Sequence, residues 1–293
     1  MTVQILQFGT TGQLGTELLS QAPSHDVAIT ALSRAEADLA DPAACAAEVR
    51  ARKPQLVVIA AAHTAVDLAE SEVDLAHAIN AASPGAIAAA AAEVGAAVIN
   101  VSTDYVFDGD GGAPYAEDAP TNPLNAYGRT KLAGEQAVAA ANPRSLSIRT
   151  SWVVSAHGKN FVKTMLRVAA AGNPLKVVDD QSGRPTSAAD LAGFILAVAP
   201  RLAAAEAGDP RFGVVHFANS GEVTWRDFAI EIFAQALGEA APEVGAQKTA
   251  DYVTPARRPL RATMDLSRLE RDFGVTPRHW RDALRDIVGE LSA

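Results

Sequence analysis

Apolar residues arrive early in the chain as short unbroken runs, Val3 to Phe8, Val27 to Leu32, Gln55 to Ala61, Ala97 to Ser102 and Leu146 to Ser151. Runs of this length without polar alternation suit strands covered on both faces. Between them the pattern turns helical. Gly9-Thr10-Thr11-Gly12-Gln13-Leu14-Gly15 leads the first run into a helix through Glu17-Leu18-Leu19. Asp41-Pro42 offers a capping carboxylate and then proline at the first helical position, opening an alanine-rich helix that ends near Arg52. Ser83-Pro84 begins another, and Asn125 to Ala141 is a third. This alternation predicts an α/β fold, a doubly wound parallel sheet of Rossmann type with right-handed crossovers.

Beyond residue 150 the pattern loosens, with Pro174, Pro185, Pro200, Pro210, Pro242, Pro255, Pro259 and Pro277 punctuating shorter elements. A chain of 293 residues lies at the upper edge of what one hydrophobic core supports. The expected organisation is a cofactor-binding domain over residues 1–152 and a smaller substrate lobe over most of 153–293, with some segments returning to the first domain.

Composition narrows the partners. Lys and Arg number 25 and Asp and Glu 34, a net charge of −9, which argues against nucleic acid or an anionic membrane. An anionic substrate must then meet a local basic cluster. The lone Cys45 has no partner in the chain, and the six His show no metal-type spacing, which fits a reducing cytoplasm and no zinc site. The start, MTVQILQFG, carries no basic leader, and the run Leu56 to Ala62 is far short of the ~20 residues of a membrane helix. A cytoplasmic protein is expected.

Gly9, Gly12 and Gly15 fall at a strand-to-helix turn, where missing side chains let the backbone approach a pyrophosphate and the helix N-terminus offers free N–H groups. The spacing is GxxGxxG, the variant of extended short-chain reductases. After the second apolar run stand Ser33-Arg34, where an NAD-selective fold presents an acidic residue to the ribose. A hydroxyl beside an arginine accommodates a 2′-phosphate, which favours NADPH over NADH.

Tyr127-Gly128-Arg129-Thr130-Lys131 places a phenol and an ammonium on one helix face. Reduction of a ketone by hydride needs a proton for the developing alkoxide, and a tyrosine of pKa about 10 is a reluctant donor. A positive charge from Lys131 and the oxidised nicotinamide ring is expected to draw that pKa down. Ser102-Thr103-Asp104 follows a strand end, the edge where ligands of open α/β sheets bind, and the Thr103 hydroxyl is placed to hold the carbonyl oxygen.

With these residues stand FGTTGQLG (Phe8 to Gly15), AAAHTAVDLAESE (Ala60 to Glu72), STDYVFDG (Ser102 to Gly109), PLNAYGRTKLAGE (Pro123 to Glu135), RTSWV (Arg149 to Val153), NFVKTML (Asn160 to Leu166), DDQSGRPTSA (Asp179 to Ala188) and TPARRP (Thr254 to Pro259). Nearly end to end, the chain resembles the dTDP-4-dehydrorhamnose reductases of the extended short-chain dehydrogenase/reductase superfamily. The resemblance implies hydride transfer from NADPH or NADH to the C4 ketone of dTDP-4-dehydro-L-rhamnose, the last step of dTDP-rhamnose biosynthesis. It implies that Tyr127 is the proton donor, Lys131 its electrostatic partner and ribose anchor, and Thr103 the group that tunes it. It implies that Gly12, Gln13, Leu14, Asp38, Leu39, Ala61, Ala62, His63 and Thr64 surround the dinucleotide, and that Thr103, Asp104 and Trp152 face the sugar nucleotide. Arg257, Arg258 and Arg261, with Lys159 and Arg184, supply the basic cluster for the substrate pyrophosphate.

Some members of this family hold a magnesium ion that bridges a homodimer through acidic residues. Glu17 lies in the corresponding first helix, but Ser187-Ala188-Ala189-Asp190 offers a single acidic residue at the other position, so the metal is left unassigned. Two alternatives stay open: another nucleotide-sugar reductase, epimerase or dehydratase of the same fold, and a non-catalytic regulatory subunit like the methionine adenosyltransferase β subunit.

Overall fold

The computed structural model describes residues 2–172 and 174–292. Six parallel strands form the central sheet: β1 (Val3–Phe8), β2 (Val27–Leu32), β3 (Leu56–Ile59), β4 (Ala97–Thr103), β5 (Ser145–Thr150) and β6 (Gly213–His216), in the spatial order β6-β5-β4-β3-β1-β2. The chain moves outward from β1 to β2 and then crosses back to β3 on the other side of β1. Such a reversal opens a crevice at the carboxyl ends of the two strands it separates.

Helices cover both faces. On one, α1 (Gln13–Gln21) and α6 (Ala188–Ala204) bury Leu14, Leu18, Leu191, Ile195 and Leu202 against Ile5, Val58, Ile99 and Ile148. On the other, α2 (Pro42–Arg52), α3 (Ser83–Glu93) and α4 (Ala126–Ala141) pack Val49, Ile87 and Val138 onto Leu6, Val57 and Val98. Strand residues of alternate parity thus enter opposite cores, so both sets must be apolar. Asp41 caps α2 by accepting from Ala43 N and Ala44 N, and Pro42 occupies the first turn.

A separate core lies in the second half, where α5 (Phe161–Ala170), α7 (Trp225–Leu237) and α8 (Trp280–Ser292) enclose Val162, Phe228, Ile232, Phe233, Leu284 and Ile287. Most of its strands are two residues long, as at Val153–Val154 and Thr186–Ser187. The boundary between the halves is crossed twice, because α6 lies under the central sheet and β6 extends it next to β5. No helix among the described residues is long and apolar enough to cross a membrane.

Candidate active site

A cavity of about 720 Å³ opens at the carboxyl ends of β1 and β3. The glycine turn forms one wall. Gly9 has φ +98° and passes so close to β3 that a Cβ there would stand 2.7 Å from the Ala61 Cβ. A Cβ on Gly15 would stand 2.5 Å from the Gly9 carbonyl oxygen, whereas one on Gly12 would meet nothing within 4 Å. Two glycines therefore fold the turn and the third leaves room in front of it. Gln7, fully buried on β1, fixes the loop by donating to the carbonyls of Gly9 at 2.7 Å and Gly15 at 3.1 Å. Gly12 caps α1 without a side-chain bond, and no acidic residue stands in the first turn, so the start of the helix keeps its partial positive charge unopposed beside the cavity.

Of the residues expected around a dinucleotide, Gly9, Gly12, Gln13, Leu14, Gly15, Ser33, Arg34, Asp38, Leu39, Ala61, Ala62, Thr64, Tyr127 and Lys131 all line this cavity. His63 does not. Its ring is nearly buried, with Nε2 2.9 Å from a Glu72 carboxylate oxygen. Lys159, expected at the substrate phosphates, lines this cavity too. At the far end Ser33 donates through both N and Oγ to Glu36 at 2.8 Å, and the largely exposed Arg34 pairs with Asp38 at 3.1 Å.

Tyr127 sits in the first turn of α4, whose N-cap Asn125 accepts from Gly128 N at 2.8 Å and donates to the Arg257 carbonyl at 2.8 Å. The TPARRP loop is thereby docked at the start of the helix. Burial raises the Tyr127 phenol to about 12, opposed by a hydrogen bond with Thr103 and reinforced by the charge of Asp104. The expected lowering by Lys131 is absent from the balance, for a geometric reason. The buried Lys131 ammonium donates to the Val101 carbonyl at 2.6 Å, and burial brings it down to about 8 while Glu135 pulls the other way. Thr103, the last residue of β4, donates to Asp104 Oδ1 at 3.1 Å and accepts from Tyr105 N at 3.2 Å. Asp104 is entirely buried, and desolvation raises its carboxyl to about 7.

Trp152 has a left-handed backbone, φ +45°, a conformation that strains a residue with a side chain. Its ring stacks on Trp225 with centroids 3.4 Å apart and covers Gly183, where a Cβ would lie 2.7 Å away. The expected basic cluster is divided. Arg258 is engaged with Asp67 at 2.8 Å, and Arg261 with Glu222 at 2.7 Å. Arg257 is exposed, while Arg184 is half-buried with an Nε that meets no acceptor.

Two buried assemblies behind the site escape a reading of motifs. Asn80, in a π-helical turn (Ala78–Ala82), accepts from His63 N at 2.8 Å and donates to His63 O and Thr130 Oγ1 at 3.1 Å. One carboxamide thus ties the cavity loop to the helix of Tyr127. Glu135 and Arg149, both 4% exposed, form a fork-to-fork pair, and Ser102 Oγ donates to the same carboxylate at 2.5 Å. Elsewhere His157 lies 3.3 Å from Glu17 and 3.5 Å from Glu290. These three side chains bring their ligand atoms within 4.8 Å of one another, whereas Asp190 pairs with Arg278. The His157 imidazole thus stands between two carboxylates.

A family model described as RmlD substrate binding domain matches residues 3–293. The dTDP-4-dehydrorhamnose reductase of Sinorhizobium fredii is 43% identical over 97% of this chain and 96% of its own length. The chain belongs to the dTDP-4-dehydrorhamnose reductase family. Among solved structures, the family member from Clostridium acetobutylicum superposes with a TM-score of 0.92 at 37% identity, covering 99% of this chain and 100% of that one. The member from Bacillus anthracis, in complex with NADP, gives 0.91 at 32% identity with the same coverage. These relatives support a nicotinamide cofactor for this chain.

Proposed function

We propose that Tyr127, Thr103 and Lys131 carry out the reaction of this family. The chain is an NAD(P)H-dependent oxidoreductase that reduces the C4 ketone of dTDP-4-dehydro-L-rhamnose to dTDP-L-rhamnose, the last step of dTDP-rhamnose synthesis. The observation that carries the residue assignment is that the Tyr127 phenol and Lys131 line one cavity while the Thr103 hydroxyl is hydrogen-bonded to that phenol.

The reduced nicotinamide, when bound, supplies hydride to C4. As charge develops on the ketone oxygen, the Tyr127 phenol, neutral at every physiological pH, gives that oxygen its proton. The Thr103 hydroxyl steadies the phenol and the oxygen. Lys131, which lines the same cavity as Tyr127, is assigned to the cofactor ribose. Asp104 and Trp152 are assigned to the sugar, and Arg257 with Arg184, whose Nε meets no acceptor among the described residues, to the nucleotide phosphates. Residues 1–152, joined by α6 and β6, constitute the cofactor-binding unit, and the remainder of 153–293 the substrate lobe.

NADPH is assigned over NADH because Arg34 stands exposed at the cavity edge. Its pairing with Asp38 gives way to a 2′-phosphate of higher charge. The test follows reduced-nicotinamide absorbance on addition of dTDP-4-dehydro-L-rhamnose, with NADPH and NADH in parallel and the product identified. Oxidation of NADPH with formation of dTDP-L-rhamnose is expected. Cofactor binding without oxidation would overturn the proposal, and tightly retained NAD with no net oxidation would indicate an epimerase.

A further inference from the structure

The cavity that receives the dinucleotide is lined by few charged side chains, and most are already committed. Arg34 is paired with Asp38 at 3.1 Å, and Lys131 donates to the Val101 carbonyl at 2.6 Å. Lys159 also lines the cavity, and its ammonium meets no acceptor among the described residues. It comes from the second half of the chain, in the segment between the strand Val153–Val154 and α5.

This segment is held by the glycine turn itself. Gln13, the first residue of α1, donates through Nε2 to the Val153 carbonyl at 3.1 Å. Its Oε1 accepts from Ser155 Oγ at 2.9 Å and from Asn160 Nδ2 at 3.0 Å. Asn160 then caps α5 by accepting from Lys163 N at 3.1 Å. Between these anchors Gly158, with φ +60°, lies next to Gln13, where a Cβ on it would make an ordinary contact with Gln13 Cγ at 3.5 Å. The residues flanking Lys159 are thus tied to Gln13 at the uncapped start of α1.

We infer that Lys159 binds the pyrophosphate of the dinucleotide, so that the second half of the chain closes on the phosphates that the first half cradles. The inference rests on the reading of this cavity as the nicotinamide-dinucleotide site. A lysine ammonium is a compact charge with three donors and meets phosphate oxygens without a fixed approach direction. In a protein of net charge −9, an uncommitted cation beside the phosphates also offsets the unfavourable field on an anionic cofactor.

The test measures dissociation constants of NADPH, NADH, ADP-ribose and adenosine 2′,5′-bisphosphate for the wild type, Lys159→Ala and Lys159→Gln. Both variants are expected to weaken NADPH, NADH and ADP-ribose by a common factor of about ten, the scale of one charge-assisted hydrogen bond. Their binding should also depend less on ionic strength. Adenosine 2′,5′-bisphosphate, which lacks the pyrophosphate, should bind as to the wild type. Unchanged constants for all ligands overturn the inference. So does weakening confined to NADPH and adenosine 2′,5′-bisphosphate, which puts Lys159 at the 2′-phosphate. A raised KM for the sugar nucleotide with unchanged cofactor binding returns the residue to the substrate phosphates. A wild type that binds no dinucleotide sinks the reading of the cavity as well.

Discussion

Replacing Asp104 by Asn should make the protein more stable, and increasingly so as pH rises. The carboxyl is fully buried and titrates near 7, against 3.8 when solvated, because desolvation outweighs the hydrogen bonds from Thr103 and the neighbouring backbone. A carboxyl whose native pKa is raised binds more protons folded than unfolded, so stability falls as pH rises from the unfolded value through the native one. A rise of that size corresponds to about 4 kcal/mol once both states are ionised, of which about 2 to 3 kcal/mol is lost between roughly pH 5 and pH 8. Asparagine keeps an oxygen for the Thr103 hydroxyl and carries no charge. Urea denaturation of wild type and Asp104→Asn across that range should therefore show the two stabilities diverging, the variant gaining at the alkaline end. Parallel curves would refute the argument, since they would mean that Asp104 ionises in the folded protein at no cost. The same variant should lose activity if the residue faces the sugar, a stability gain at a functional position.

Glu135→Gln removes one partner of a buried pair and leaves the Arg149 guanidinium uncompensated, so thermal or urea unfolding should report a loss of about 3–5 kcal/mol. Asn80→Ala should lower kcat more than it weakens cofactor binding, because the carboxamide connects the His63 backbone to Thr130 in the helix that carries Tyr127; a stability loss with unchanged kcat would make Asn80 purely structural. Turnover should decline as pH passes about 8, where Lys131 loses its proton, and Lys131→Arg, if active, should retain its rate at higher pH in a pH–rate profile.

Much of the first half is legible in the order of its residues alone. The runs Val3 to Phe8 and Val27 to Leu32 become β1 and β2 without change of boundary, and Asp41-Pro42 starts α2 as its chemistry requires. Periodicity and capping are local properties, and these elements depend on little else. The second half is harder to read because its strands at Val153–Val154, Ser182–Gly183 and Thr186–Ser187 are two residues long and exist only through their partners. The site shows the same division. Gly9, Tyr127 and Lys131, marked by their spacing, line one cavity, but Gln7, Asn80 and Arg149 act through contacts between distant segments. Glu135 lies four residues after Lys131 and reads as an ordinary helix-surface acid until β5 brings Arg149 against it. His63 and Arg258, whose types suit cofactor and substrate, are also engaged by the fold with Glu72 and Asp67, partners that spacing does not announce.

The most direct test of the central claim is the turnover of Tyr127→Phe with NADPH and dTDP-4-dehydro-L-rhamnose, measured beside its dissociation constant for NADPH. Removing the proton donor should reduce kcat by about 10²–10⁴-fold while leaving cofactor affinity within about twofold. Turnover close to that of the wild type would show that another group delivers the proton and would contradict the account.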